Sequence, residues 1–288
     1  MKEAILEQAV CALSALPFVK GVVLGGSRAN GTETAGSDAD IGVYYDGAEF
    51  DLAALNEAAR RLDSLHRENL VCGEGGWGNW VNCGGWLTMQ ETPVDLICRE
   101  MGRVEQLVQE CERGVFAPHY QTGHPHAYIS AMYRGELAES RLLFDRDGSL
   151  SALKARAEIY PEALREALAG FFGFEAGFSL GLARKYAGSG DLSYVAGHLF
   201  RAVSCINQLI FAVNRRYCLN EKRAARRAAS FPICPQDYEN RVNLAFAQLG
   251  NPETACTMLE ELYEEASSLW KDEGRKGAPN ENKNPAAQ

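Results

Sequence analysis

The chain has 288 residues, 46% of them hydrophobic, and a formal net charge of −9 from 29 basic and 38 acidic side chains. That size and composition suit two domains with real cores. The acidic balance argues against a general nucleic-acid binder, which needs a basic surface to meet phosphate, and no run of eighteen apolar residues predicts a membrane span.

In chain order, Ile5, Ala9 and Leu13 recur at helical spacing over residues 2–15, with Pro17 closing the segment. The acids in Met1–Glu7 predict a helix rather than a secretion signal. Residues 19–24 read as a strand, and 41–45 as a second. Between them lies Gly25-Gly26-Ser27-Arg28, then Ser37-Asp38-Ala39-Asp40 entering the second strand. Side chains alternate faces along a strand, so Asp38 and Asp40 point the same way. Two carboxylates held side by side need a cation, and Mg²⁺ prefers oxygen ligands from a few carboxylates plus substrate phosphates. Gly25 and Gly26 let the backbone approach a phosphate, Ser27 adds a hydroxyl donor, and Arg28 a positive charge. The segment therefore predicts a nucleoside triphosphate site with its metal ions.

Asp51 predicts the N-cap of a helix reaching about Glu68, and Leu70-Val71-Cys72 a short strand. Three of the four tryptophans, Trp77, Trp80 and Trp86, then stand among glycines. They suit either a stacking surface for a base or acceptor, or a wedge against the core. Residues 86–90 and 94–98, around Glu91-Thr92-Pro93, predict a hairpin, and 100–113 a helix. Asp95 sits alone among Val94, Leu96 and Ile97, where an unpaired charge is costly, and is the candidate third carboxylate. The expected architecture is an N-terminal α/β domain with a small mixed sheet over 1–116, an all-α C-terminal bundle over 117–271, and a disordered polar tail over 272–288. Helical segments are expected near 126–144, 149–155, 161–186, 191–217, 221–229, 236–248 and 252–272. His119, His124 and His126 read as surface histidines of a linker, and Asp191, Tyr194, His198 and Arg201 as a polar helix face. Nine scattered cysteines, odd in number and with no C-x-x-C pair, predict reduced thiols and a cytoplasmic setting.

Gly26-Ser27, nine residues, Ser37-Asp38-x-Asp40, and the later strand around Asp95 resemble the polymerase-beta-type nucleotidyltransferase superfamily. Within it the chain resembles the antibiotic nucleotidyltransferases, which join such a domain to a helical bundle. Leu219-Asn220-Glu221-Lys222-Arg223 is similar to a helix start in the streptomycin/spectinomycin enzymes, where the lysine meets the nucleotide phosphates. The resemblance implies transfer of a nucleoside monophosphate, from ATP or another triphosphate, to a hydroxyl of a small acceptor such as an aminoglycoside or lincosamide. It implies that Asp38 and Asp40 bind two Mg²⁺ ions and that Asp95 binds the one nearest the attacking oxygen. Gly25, Gly26, Ser27, Arg28, Ser37 and Lys222 would hold the nucleotide. Glu136 is the candidate base, with Glu74 the other option. The alternative reading is an antitoxin-like or regulatory nucleotidyltransferase acting on a protein partner. No arginine lies four to six residues before His198, so the bundle lacks the Arg–His ribonuclease spacing of the toxins in such pairs.

Overall fold

The computed structural model describes residues 3–26 and 38–277. Ser27, Arg28 and Ser37 lie outside the described residues, as does 278–288 of the expected tail. The chain divides into two compact units, Met1–Leu164 and Arg165–Gln288.

The first unit is built on a five-stranded mixed sheet. Helix α1 (Glu3–Ser14) leads to β1 (Val19–Leu24), β2 (Ala39–Tyr45), helix α2 (Leu52–Leu62), β3 (Cys83–Met89) and β4 (Thr92–Glu100). Helix α3 (Met101–Glu112), hairpin strands β5 (Pro118–Gln121) and β6 (His124–Ile129), helix α4 (Met132–Glu139), strand β7 (Arg141–Asp145) and helix α5 (Ser149–Glu158) follow. The sheet order is β3-β4-β2-β1-β7. β2 and β4 are parallel, and every other pairing in the sheet is antiparallel.

Alternation sets the two faces of this sheet. Val22 and Leu24 of β1, Ile41, Val43 and Tyr45 of β2, and Val94, Leu96 and Cys98 of β4 point into one core. Ile5, Leu6, Ala9 and Leu13 of α1 and Leu55 and Ala59 of α2 cover that face. Asp51 caps α2 as its position predicted, its carboxylate accepting from the Ala54 N–H at 3.0 Å. The intervening positions Asp40, Gly42, Tyr44, Asp95, Ile97 and Arg99 fall on the opposite face.

The expected helix over 126–144 is corrected. His124–Ile129 and Arg141–Asp145 are strands flanking the short helix α4, and the histidine segment is a hairpin rather than a linker. β7 adds to the far edge of the sheet beside β1. Arg134 of α4 is 1% exposed and donates to the Val108 and Ile159 carbonyls at 2.8 and 2.7 Å and to the Arg156 carbonyl. A buried guanidinium needs all its donors used, so Arg134 binds α3, α4 and α5 into one body. The compact first unit therefore runs past 116/117 to Leu164. The Leu70–Cys72 strand reduces to a bridge between Val71 and Gly85.

The second unit takes most of α6 (Glu162–Tyr186), with α7 (Leu192–Val213), α8 (Ala224–Ala229), α9 (Tyr238–Ala247) and α10 (Pro252–Gly277). Residues 272–277, expected in the tail, continue α10. Helix α7 is long and apolar enough to cross a membrane by length and composition. Its half from Ala202 to Val213 is buried throughout inside this unit, including Asn207, which accepts from the Tyr238 hydroxyl at 2.9 Å. Gly177 admits the Tyr263 ring of α10 against α6, and Arg184 of α6 donates to Glu260 at 3.1 Å through Nε.

Candidate active site

The site begins where β1 ends. Gly25 donates its N–H to the Asp40 carbonyl at 2.8 Å, which continues the β1–β2 ladder into the turn. Gly26 has φ +64°, the left-handed region where a side chain is strained, and a Cβ there would run into the Asp40 carboxylate. The glycine turn and the first strand carboxylate are thus in direct apposition, and only glycine permits it.

Asp40 and Asp95 are register partners on the parallel strands β2 and β4. Paired residues of adjacent strands project from the same face, so the two carboxylates rise side by side. Asp38 stands two residues before Asp40, at the mouth of β2, and is exposed. Burial and then the Asp38 charge hold the Asp95 carboxyl above its ordinary range. That direction records the loss of water around Asp95 first and the neighbouring negative charge second. A hard divalent cation suits the carboxylate oxygens that these aspartates offer. Among the described residues, no three His, Cys, Asp or Glu side chains close into a complete metal-holding group. Mg²⁺ characteristically leaves part of its shell to phosphate oxygens and water, so the aspartates fit it as a partial shell.

On the other side of β4 lies Trp86, the register partner of Asp95 on β3. It is 62% exposed and stacks on Trp77, with ring centroids 4.8 Å apart and 29° between planes. Trp77 lies flat over Gly84, where a Cβ would collide with its ring. The glycine-rich loop is pinned: the Gln121 amide donates to the Trp77 carbonyl at 2.6 Å and accepts from the Trp80 N–H at 3.1 Å. Trp80 is elsewhere, stacked on His119 at 3.8 Å with the Arg103 guanidinium 4.5 Å from its ring. The three tryptophans therefore divide, Trp86 beside Asp95 with Trp77 stacked on it, and Trp80 in the cluster with the β5–β6 hairpin.

Farther along β4, Arg99 is 3% exposed and donates to both Glu136 oxygens, at 2.9 and 3.1 Å. Glu136 also accepts from the Tyr128 hydroxyl at 3.2 Å. Glu74, the other acid considered as base, accepts from the Tyr45 hydroxyl at 2.5 Å, and Asn82 donates to that same hydroxyl at 2.9 Å. Both glutamates are thus engaged in hydrogen-bonded pairs within the first unit.

The remaining candidates belong to the second unit. Lys222 is exposed in the turn before α8, its N–H donating to Asn220 at 2.7 Å. Asp191 caps α7, accepting from the Tyr194 N–H at 3.1 Å, and Arg201 pairs with Glu175. Trp86 facing Asp95 was the feature hardest to see in sequence. The hairpin turns at Gln90-Glu91, both with positive φ, rather than across 91–93, and that tighter turn sets which residues oppose.

Residues 4–75 match the family described as nucleotidyltransferase domain. A nucleotidyltransferase-like protein from Exiguobacterium sibiricum has a similar structure at 12% identity, with a TM-score of 0.45 over 97% of this chain and 81% of that one. No curated protein matches the chain. The matched segment covers α1, the glycine turn, Asp38 and Asp40, and stops before Asp95.

Proposed function

We propose that the first unit transfers a nucleoside monophosphate, ATP being the expected donor, to a hydroxyl of a small molecule, with an aminoglycoside or lincosamide antibiotic as the first acceptor to try. The observation that carries this reading is the register pairing of Asp40 with Asp95, beside the glycine turn and within reach of the Asp38 charge. The nucleotidyltransferase-domain match over 4–75 supports nucleotidyl transfer as the class of reaction.

Gly25 and Gly26 would bring bare backbone against the β- and γ-phosphates. Asp38, Asp40 and Asp95 would hold Mg²⁺, which supplies charge neutralisation at the α-phosphorus and at the leaving oxygen. The acceptor oxygen forms a bond to the α-phosphorus as the α–β bridging P–O bond breaks. Pyrophosphate leaves with that electron pair, and the hydroxyl proton passes to solvent. We assign Glu136 to neutralising Arg99 rather than to taking this proton, since both its oxygens are bound by the guanidinium. The chain's own contribution is positioning and electrostatics.

The test is incubation of the full chain with ATP, Mg²⁺ and an antibiotic panel, measuring pyrophosphate release and the mass of the product. An acceptor heavier by one AMP, lost on Asp40→Asn, is the expected result. No pyrophosphate release with any acceptor overturns the reading.

A further inference from the structure

We infer that Trp86, backed by Trp77, is the surface on which the acceptor lies, and that the acceptor presents a hydroxylated ring to it. This rests on the nucleotidyl-transfer reading above and adds to it the residues that choose the acceptor.

The sheet order supplies the direction. Reading across it, the glycine turn follows β1, Asp40 is on β2, Asp95 on β4, and Trp86 on β3. The glycine turn and the tryptophan pair therefore flank the aspartates from opposite sides. Displacement at phosphorus is in line, so the attacking oxygen enters opposite the leaving pyrophosphate. With the pyrophosphate on the glycine turn, the acceptor comes from the side of Trp86. The nucleoside hangs from an equatorial oxygen of the same phosphorus, off that axis. One strand spacing, about 4.8 Å, separates β3 from β4, which puts a ring lying on Trp86 next to the carboxylate over which its hydroxyl must react.

The pair is constructed as a surface rather than as core. Trp86 leaves 62% of itself exposed on a strand whose neighbours Gly85 and Leu87 are buried. Its ring is held by the Trp77 stack, and Trp77 is held by Gly84 beneath it and Gln121 behind it. A rigid exposed aromatic loses little entropy on binding. Its face meets the C–H groups of a sugar or cyclitol, while Asp95 alongside accepts from hydroxyl or ammonium groups at the ring edge.

The experiment measures equilibrium binding to the full chain by calorimetry, with ATP–Mg²⁺, with kanamycin and with methyl α-glucoside as separate probes. Wild type, Trp86→Ala and Trp86→Phe are compared. Trp86→Ala is expected to weaken the ring probes at least about tenfold, as truncation of an aromatic anchor does. Trp86→Phe should restore most of that loss, and ATP affinity should not move. A loss confined to ATP would make the pair a nucleobase stack and overturn the assignment. So would unchanged ring binding in Trp86→Ala, or a wild type that binds neither ring probe. Pyrophosphate release by the wild type is scored in parallel. Its absence defeats the transfer reading itself, whereas release with an acceptor affinity indifferent to Trp86 defeats the platform alone.

Discussion

Asp40 and Asp95 occupy directly opposed positions on neighbouring parallel strands, although 54 residues of chain lie between them in sequence. The pairing sets the two carboxylates on one face of the sheet, one strand spacing apart at the backbone. It makes the site costly to the apo fold, because burial and the Asp38 charge both oppose ionisation of Asp95.

Asp40→Asn and Asp95→Asn should each lower turnover by at least about a hundredfold, several kcal/mol of lost electrostatic stabilisation at the transition state. Asp95→Asn should at the same time raise the thermal midpoint at neutral pH by about 2 °C, the shift that roughly 0.5–1 kcal/mol produces in a chain of this size. The sign follows from the raised carboxyl: its ionised form is what the fold disfavours. Pyrophosphate release and differential scanning fluorimetry on the same preparations check both halves.

Gly25→Ala and Gly26→Ala should behave differently. At Gly25 an added methyl would sit 3.6 Å from the Asp40 Cβ, an ordinary contact. At Gly26 it would meet the Asp40 carboxylate, on a backbone already at φ +64°. The second variant should lose about 1–2 kcal/mol of stability from the left-handed conformation alone and show a raised KM for ATP. Steady-state kinetics and chemical denaturation of the two proteins side by side make the comparison.

Glu136→Gln tests whether that acid is a base or a counter-ion. Removing its charge leaves the buried Arg99 guanidinium without its counter-charge, a change that costs about 1–3 kcal/mol with Glu136 itself only half-buried. Stability should fall while the shape of the pH–rate profile is retained. A profile that loses its acidic limb, with stability untouched, would return Glu136 to the chemistry.

Asp63 gives the pH dependence of the fold. Its side chain is fully buried and accepts from the Arg67 guanidinium at 2.6 and 2.9 Å, and from the Thr88 N–H at 2.9 Å. The Arg67 hydrogen bonds hold its carboxyl well below the usual carboxylate range. A depressed folded-state value contributes stability above the unfolded pKa, lost as pH falls through the folded one. Asp63→Asn should therefore destabilise by about 1–3 kcal/mol at pH 7, and the gap from wild type should close in strong acid. Urea titrations at a series of pH values measure it.

Much of this was written locally. The alternation of β1 and β2, the Asp51 cap and the Gly25-Gly26 turn follow from period-two geometry and turn chemistry, which act over a few residues. The existence of the β3–β4 hairpin was legible for the same reason. Its register was not, because the choice between a turn at 90–91 and one at 91–93 depends on which face each strand can bury. That choice placed Trp86 opposite Asp95.

Only the tertiary structure set Asp95 level with Asp40, added β7 beside β1, and gave Glu136 to the buried Arg99. Each joins residues distant in the chain, and each answers to a requirement of the whole body: bury the apolar face, fill the sheet edge, neutralise an enclosed charge. A sequence displays which side chains can do chemistry. Where they meet is decided by the packing that strands and helices must satisfy together.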